Sequence, residues 1–184
     1  MKRLFAAIKV QPSDEFTRVY FNLRKELSYE KIKWVNPDNV HITLKFFGET
    51  PEEKIPGINK ALTAASIGVE PFSIRIENTG IFGSSYRPKV IWFGIEDGGA
   101  ISTLAGKIFG ELEKAGWEND RQNFVPHLTI GRIKHLKDKK RFQQVIDRFR
   151  DSFLQESEVT SFYLFESILH QDGPEYKVIE TFDL

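Results

Sequence analysis

Apolar residues along this chain recur with two periods, one of about two and one of about 3.6. Arg3 to Val10 is dense in Phe, Ile and Val and reads as a strand. Pro12-Ser13-Asp14 has the form of a helix start, and Phe16, Val19, Tyr20, Leu23 and Leu27 follow at helical spacing. Trp34 to Asn39 reads as a turn, Val40 to Phe47 as a second strand ended by Gly48. Pro51-Glu52-Glu53 opens a helix carrying Ile58, Leu62 and Ala65, with Pro56 weakening its first turn. Phe72 to Ile76 alternates strictly, as a strand does. Asn78 to Lys89, rich in Gly and Ser, is expected to be a loop in which Tyr86, Arg87 and Lys89 could meet a substrate. Val90 to Ile95 is a strand. Ile101, Leu104, Ala105, Ile108, Phe109 and Leu112 form a helical stripe that Gly116 stops. A strand around 124–130 follows. Asp138 is placed to cap a fourth helix bearing Phe142, Val145, Ile146, Phe149 and Phe153. Two strands, about 158–169 and 175–182, close the chain as a hairpin around Gln171-Asp172-Gly173-Pro174.

One short pattern occurs in two of these strands. Val40-His41-Ile42-Thr43-Leu44 and Pro126-His127-Leu128-Thr129-Ile130 each set His and Thr two positions apart. In a strand such residues share one face, while Ile42 and Leu44, or Leu128 and Ile130, share the other. The apolar face can enter a core and the His/Thr face can line a cleft. The two histidines lie 86 residues apart, close to half the chain. The order strand, helix, His/Thr strand, helix, strand also repeats, with one strand added. The expected fold is α+β, a two-lobed duplicated unit in which each lobe is an antiparallel sheet with helices packed on one face. The whole of 1–184 forms a single bilobal domain with approximate halves 1–89 and 90–184, each holding one motif and facing a cleft between the lobes.

Composition narrows the function. A chain of 184 residues with 40% hydrophobic and 28% charged residues suits an ordinary globular protein. The formal net charge is zero, so a nucleic-acid partner would have to be met by a local basic patch. No cysteine is present, which excludes disulfides, thiolate metal sites and cysteine nucleophiles. No apolar run approaches membrane-spanning length, and the N-terminus lacks the form of a signal peptide. A cytoplasmic, monomeric enzyme is the default expectation.

Two imidazoles facing one space form an acid–base pair, because an ordinary histidine titrates near about 6.5. One ring can be neutral and the other protonated near neutrality. The hydroxyls of Thr43 and Thr129 can hold non-bridging phosphate oxygens without cancelling their charge. His, His, Thr and Thr around one anion suit phosphodiester cleavage: one His activates water, the other protonates the departing oxygen. The residues themselves leave open which is which. A metal site would need further ligands. His135 and His170 are available, but neither a helical His pair nor a carboxylate-rich motif accompanies them. Both are read as surface or turn residues, and neither a metal nor another cofactor is expected.

The paired His-x-Thr-x motifs resemble those of the two-histidine (2H) phosphoesterase superfamily. Within it the chain is most similar to the bacterial and archaeal RNA 2′,3′-cyclic phosphodiesterases, also called 2′-5′ RNA ligases. Arg3-Leu4-Phe5, Lys45-Phe46-Phe47-Gly48, Pro126, Arg132, Glu166-Ser167 and Gly173-Pro174-Glu175-Tyr176 carry the resemblance along the chain. It implies hydrolysis of an RNA 2′,3′-cyclic phosphate to a 2′-phosphomonoester, and reversible 2′-5′ joining of tRNA halves without a nucleotide cofactor. It also implies His41 as proton donor to the ribose 3′ oxygen and His127 as proton acceptor. Arg132 is attractive as a phosphate cation, although simple alternation sets it on the face opposite His127. Lys45 and Phe47 are expected to share the His41 face, with Phe47 a candidate base platform. The alternatives are a phosphodiesterase for a small cyclic phosphate such as ADP-ribose 1″,2″-cyclic phosphate, and a non-catalytic RNA-binding module.

Overall fold

The computed structural model describes residues 1–118, 124–171 and 173–184. Its elements are β1 (Lys2–Lys9), α1 (Asp14–Glu26), β2 (Lys31–Trp34), β3 (His41–Thr50), α2 (Ile55–Ser66), β4 (Phe72–Gly83), β5 (Pro88–Glu96), α3 (Ala100–Lys114), β6 (His127–His135), α4 (Lys139–Arg148), β7 (Phe153–Val159), β8 (Ser161–Leu169) and β9 (Pro174–Asp183). Asp172 of the expected closing turn lies outside the described residues. Helix starts follow the local chemistry. The Ser13 hydroxyl accepts from the Phe16 amide at 3.1 Å, and the Asp138 carboxylate from the Arg141 amide at 2.9 Å. Each helix turns its apolar stripe inward: Phe16, Val19, Tyr20 and Leu23 in α1, for instance, are buried. Among the described residues no helix is long and apolar enough to cross a membrane.

The strands form one antiparallel curled sheet in the order β7-β4-β5-β6-β3-β1-β8-β9, with β2 added beside β6. Two four-stranded wings, β7-β4-β5-β6 and β3-β1-β8-β9, meet at β3 and β6, which share a single bridging pair, Ile42 and Leu128. The helices cover one face: α2 and α3 pack on each other and on β9 and β3, α1 and α4 on each other and on β7 and β4. The main core lies between that face and the helices. A smaller cluster on the other side of β1 holds Phe5, Ala7 and Phe165, with Tyr163 and Tyr176 against it. The sequence halves are interlocked. β1 of the first half pairs with β8 of the second, and β4 of the first pairs with β5 and β7 of the second.

Three expectations change. Lys31 to Trp34, next to the expected turn, is strand β2, paired with β6. The expected loop from Asn78 to Lys89 is mostly a hairpin, because β4 continues to Gly83 and β5 begins at Pro88. Gly80 sits inside the strand because Trp92 lies across it; a Cβ there would come within 2.2 Å of the indole. Tyr86 in the hairpin tip is exposed, with the Lys139 ammonium 4.0 Å from its ring centre. Finally, the expected strand near 158–169 is two strands. Phe153, expected on the fourth helix, opens β7, and the chain passes from one wing to the other at Thr160.

Candidate active site

The seam between the wings places the two motifs against each other. With Ile42 opposite Leu128 in an antiparallel register, His41 falls opposite Thr129 and Thr43 opposite His127. All four side chains leave the same face, and all four line one cleft of about 860 Å³. The two imidazoles are therefore on diagonal neighbours, a relation that separates the residues by about 7–8 Å and their Cβ atoms by somewhat less. Two rings so placed can flank a tetrahedral anion, with the Thr43 and Thr129 hydroxyls in the same cleft.

A bulge follows each motif at the same offset. Along β3, Thr43 pairs with Ala7 and Lys45 with Ala6, so Leu44 and Lys45 share one step of β1. Along β6, Thr129 pairs with Trp92 and Gly131 with Ile91, so Ile130 and Gly131 share one step of β5. The extra residue reverses the alternation. Both strands consequently begin with one burial sequence: half-buried, buried, half-buried, buried, buried, exposed. The sixth positions, Phe46 and Arg132, return to the cleft face and line the cavity.

Each imidazole is oriented by the carbonyl two residues before it. His41 Nδ1 lies 2.8 Å from Asn39 O, and His127 Nδ1 lies 2.8 Å from Val125 O. A carbonyl only accepts, so Nδ1 carries hydrogen in both rings and Nε2 is left for the cleft. The surroundings then diverge. His41 is walled by the Phe5 ring at 4.8 Å and the Tyr176 ring, edge-on at 5.2 Å. Burial pushes its pKa below the ordinary histidine value. The hydrogen bond to Asn39 opposes the shift, and the charges of Arg132 and His127 add to it. His127 has the Phe82 ring edge-on at 4.7 Å. The Tyr176 phenol is raised above its usual value by burial, which the Arg132 and Arg3 charges partly offset, so it stays a donor near neutrality. Asn39 Nδ2 donates to Pro174 O at 3.0 Å, tying the β8–β9 hairpin to the His41 loop.

The family model for the 2′-5′ RNA ligase superfamily matches residues 22–170. The chain belongs to that superfamily. An Archaeoglobus fulgidus protein named RNA 2′,3′-cyclic phosphodiesterase is 35% identical over 98% of this chain and 99% of its own. One of the same name from Aquifex aeolicus is 34% identical over 100% and 99%. Among solved structures, the Thermus thermophilus protein TT0787 superposes with a TM-score of 0.78 at 28% identity, covering 99% of this chain and 97% of its own. E. coli LigT, crystallised with 3′-AMP, shares the fold with a TM-score of 0.73 at 21% identity, covering 100% and 98%.

In this 2′-5′ RNA ligase superfamily member, His41, Thr43, His127, Thr129 and Arg132 all come together. Lys45 and Phe47 do not. The β3 bulge turns both away from the cleft, placing the Lys45 ammonium 5.7 Å from the Phe109 ring centre and Phe47 against Trp117 at 5.3 Å. Phe46 stands in their place, half-exposed, with the Arg3 guanidinium 5.0 Å from its ring centre. Tyr86, Arg87 and Lys89 lie outside the cleft lining, whereas His170 reaches its rim and pairs with Glu175 at 3.0 Å. Sequence reasoning named none of Arg3, Lys33, Phe46, Lys134 or Tyr176 as a site residue. For Arg3 and Tyr176 the signal was present in the resemblance. For Phe46 it required the bulge, and for Lys33 the pairing of β2. The zero-charge chain thus gathers Arg3, Lys33, Arg132 and Lys134 around one cavity, with Glu175 the one carboxylate lining it among the described residues.

Proposed function

We propose that this protein hydrolyses RNA 2′,3′-cyclic phosphate ends to 2′-phosphomonoesters by metal-independent His/His catalysis. The crossed arrangement of His41 opposite Thr129 and His127 opposite Thr43, on one concave basic face, carries the proposal. The names of the full-length relatives support the substrate class. The Thr43 and Thr129 hydroxyls donate to the non-bridging oxygens, and Arg132 neutralises the anion. His127 Nε2 takes a proton from water as its oxygen attacks phosphorus. The P–O3′ bond breaks on the opposite side, and His41 gives its Nε2 proton to O3′, leaving the phosphate on O2′. Nδ1 of each ring stays bonded to its carbonyl, so the proton exchanges occur at Nε2 alone. Loss of the acquired proton from His127 to solvent and uptake of one by His41 return both rings to their starting states. An RNA 5′-hydroxyl attacking phosphorus in place of water, with the same departure of O3′, yields a 2′-5′ linkage, the joining reaction proposed for tRNA halves, and the reverse of that step cleaves it.

One observation favours the opposite assignment. Burial holds His41 toward its neutral form in the free protein, which suits a base. A bound phosphate supports the donor role, because its negative charge beside Arg132 and His127 offsets two of the causes, after burial, that disfavour a proton on His41.

The test is turnover of cyclic-ended RNA in EDTA with identification of the product isomer. The 2′-phosphate is expected, and His41→Ala and His127→Ala are each expected to lose about 10²–10⁴-fold in kcat. A substrate with sulfur at the 3′ bridging position has a leaving group that needs no proton. It should restore His41→Ala and leave His127→Ala slow. Restoration of His127→Ala alone reverses the roles, and full turnover by both variants on the natural ester overturns the mechanism.

A further inference from the structure

The ribbon formed by β2 and β6 carries cations that face one another. Lys33 pairs directly with Arg132, and the shift between Lys31 and Ile32 sets Lys134 and His135 together opposite Lys31. Lys31 and Lys33 share one face of β2, as Arg132 and Lys134 share one face of β6. Lys33, Arg132 and Lys134 line the cleft, and Lys31 continues the row beyond it. All four are exposed, and none forms an ion pair among the described residues. Elsewhere, exposed Arg18, Lys114, Arg148 and Arg150 lie 2.5–2.8 Å from carboxylates. Glu30, beside Lys31 in sequence, is buried and spent on the backbone, accepting from the Lys137 and Asp138 amides at 2.5 and 2.9 Å.

Like charges directly opposite across a strand pair are destabilising. A short ribbon that sets Lys against Arg and supplies no carboxylate is built for an external polyanion. The row starts at the phosphate position between the histidines and runs outward for the length of β2, farther than one cyclic phosphate extends. We infer that the β2–β6 ribbon is a track for the sugar–phosphate backbone of single-stranded RNA whose cyclic end occupies the cleft. The inference rests on the proposed function only for the placement of that end. It makes the preferred substrate an oligonucleotide, in which Lys31, Lys33 and Lys134 hold internal phosphates, and not a lone cyclic nucleotide or a small cyclic phosphate.

The probe is a fluorescein-labelled single-stranded RNA ending in a 2′,3′-cyclic phosphate, titrated at increasing KCl. Removing three phosphate contacts lowers the slope of log affinity against log salt by about 2 for a single strand. The combined Lys31→Ala, Lys33→Ala and Lys134→Ala variant is expected to show that loss. A matched variant at Lys60, Lys107 and Lys114, on α2 and α3, is expected to keep the wild-type slope. The ratio of kcat/KM for the oligonucleotide to that for a cyclic mononucleotide should fall at least tenfold in the ribbon variant. Equal slopes in the two variants overturn the track. Tight, salt-sensitive binding with no turnover of either substrate leaves the track standing and overturns the proposed chemistry instead.

Discussion

At the scale of single residues, the cleft is two near-copies of one device whose environments differ. Both imidazoles lean on a carbonyl through Nδ1, but only His41 is enclosed by Phe5 and Tyr176. Its lowered pKa has two measurable consequences. The pH profile of kcat/KM reports the free enzyme and that of kcat the complex. The limb belonging to His41 is therefore expected at higher pH in kcat than in kcat/KM, by at least half a unit on the order-of-magnitude scale of charge effects. Stability follows the same group. Below an unfolded value of about 6.5, the unfolded chain takes up a proton that folded His41 refuses. The contribution is favourable to folding above that value and is lost as pH falls through it toward the folded pKa. Denaturant midpoints should show His41→Asn gaining on the wild type as pH drops from about 7.5 to about 5, and added phosphate should shrink the gain. At this scale the His/Thr pairs were legible because a period of two needs only three residues. Phe46 was not, since the step that turns it inward leaves no mark in Leu44-Lys45.

At the scale of elements, bulges and glycines decide what the cleft contains. The β6 bulge did have a sequence signal, an isolated Gly131 inside a strand pattern. A Cβ at Gly131 would meet Ile32 at 3.0 Å and Trp34 at 3.3 Å, so this glycine lets β2 lie against β6. Gly80 is tighter and connects to the chemistry: Trp92 crosses it, the Phe82 ring lies 5.5 Å from Trp92, and Phe82 meets the His127 ring edge-on. Gly80→Ala is expected to cost about 1–3 kcal/mol by overpacking. That corresponds to a melting point lower by roughly 2–12 °C in a chain of this size. Its kcat should fall too, as Phe82 is displaced from His127. Gly131→Ala should melt closer to wild type, because its nearest contact, the Ile32 γ-methyl, lies at 3.0 Å against 2.2 Å for the indole at Gly80. Calorimetry with parallel kinetics checks both. β2 itself was illegible: four residues, half of them Lys, acquire a strand's identity only from the partner they join. The same glycine signal that reveals a bulge at Gly131 misled at Gly80, where it marks an indole overhead and not a loop.

At the scale of the whole molecule, the duplication was visible in the spacing of His41 and His127, but the exchange between halves was not. Pairing is a property of distant segments, and nothing in Val159-Thr160-Ser161 announces that the chain changes wings there. Because each half completes the sheet of the other, neither should be a folding unit alone. Peptides cut at the exposed hairpin tip near Tyr86 are expected to be largely unstructured apart, and to regain helix and strand signal by circular dichroism when mixed. A half that folds independently would contradict the interlocked topology.

That topology also sets a timetable for synthesis. β1 leaves the ribosome long before the strand that flanks it, β8, and the Pro174 carbonyl that pins the His41 loop. A ribosome that stalls anywhere before residue 161 releases a product with an uncovered β1 edge and an unfinished cleft. A chain truncated there is expected to be inactive on RNA, because the cleft is complete only once β8, β9 and the Pro174 contact have been added.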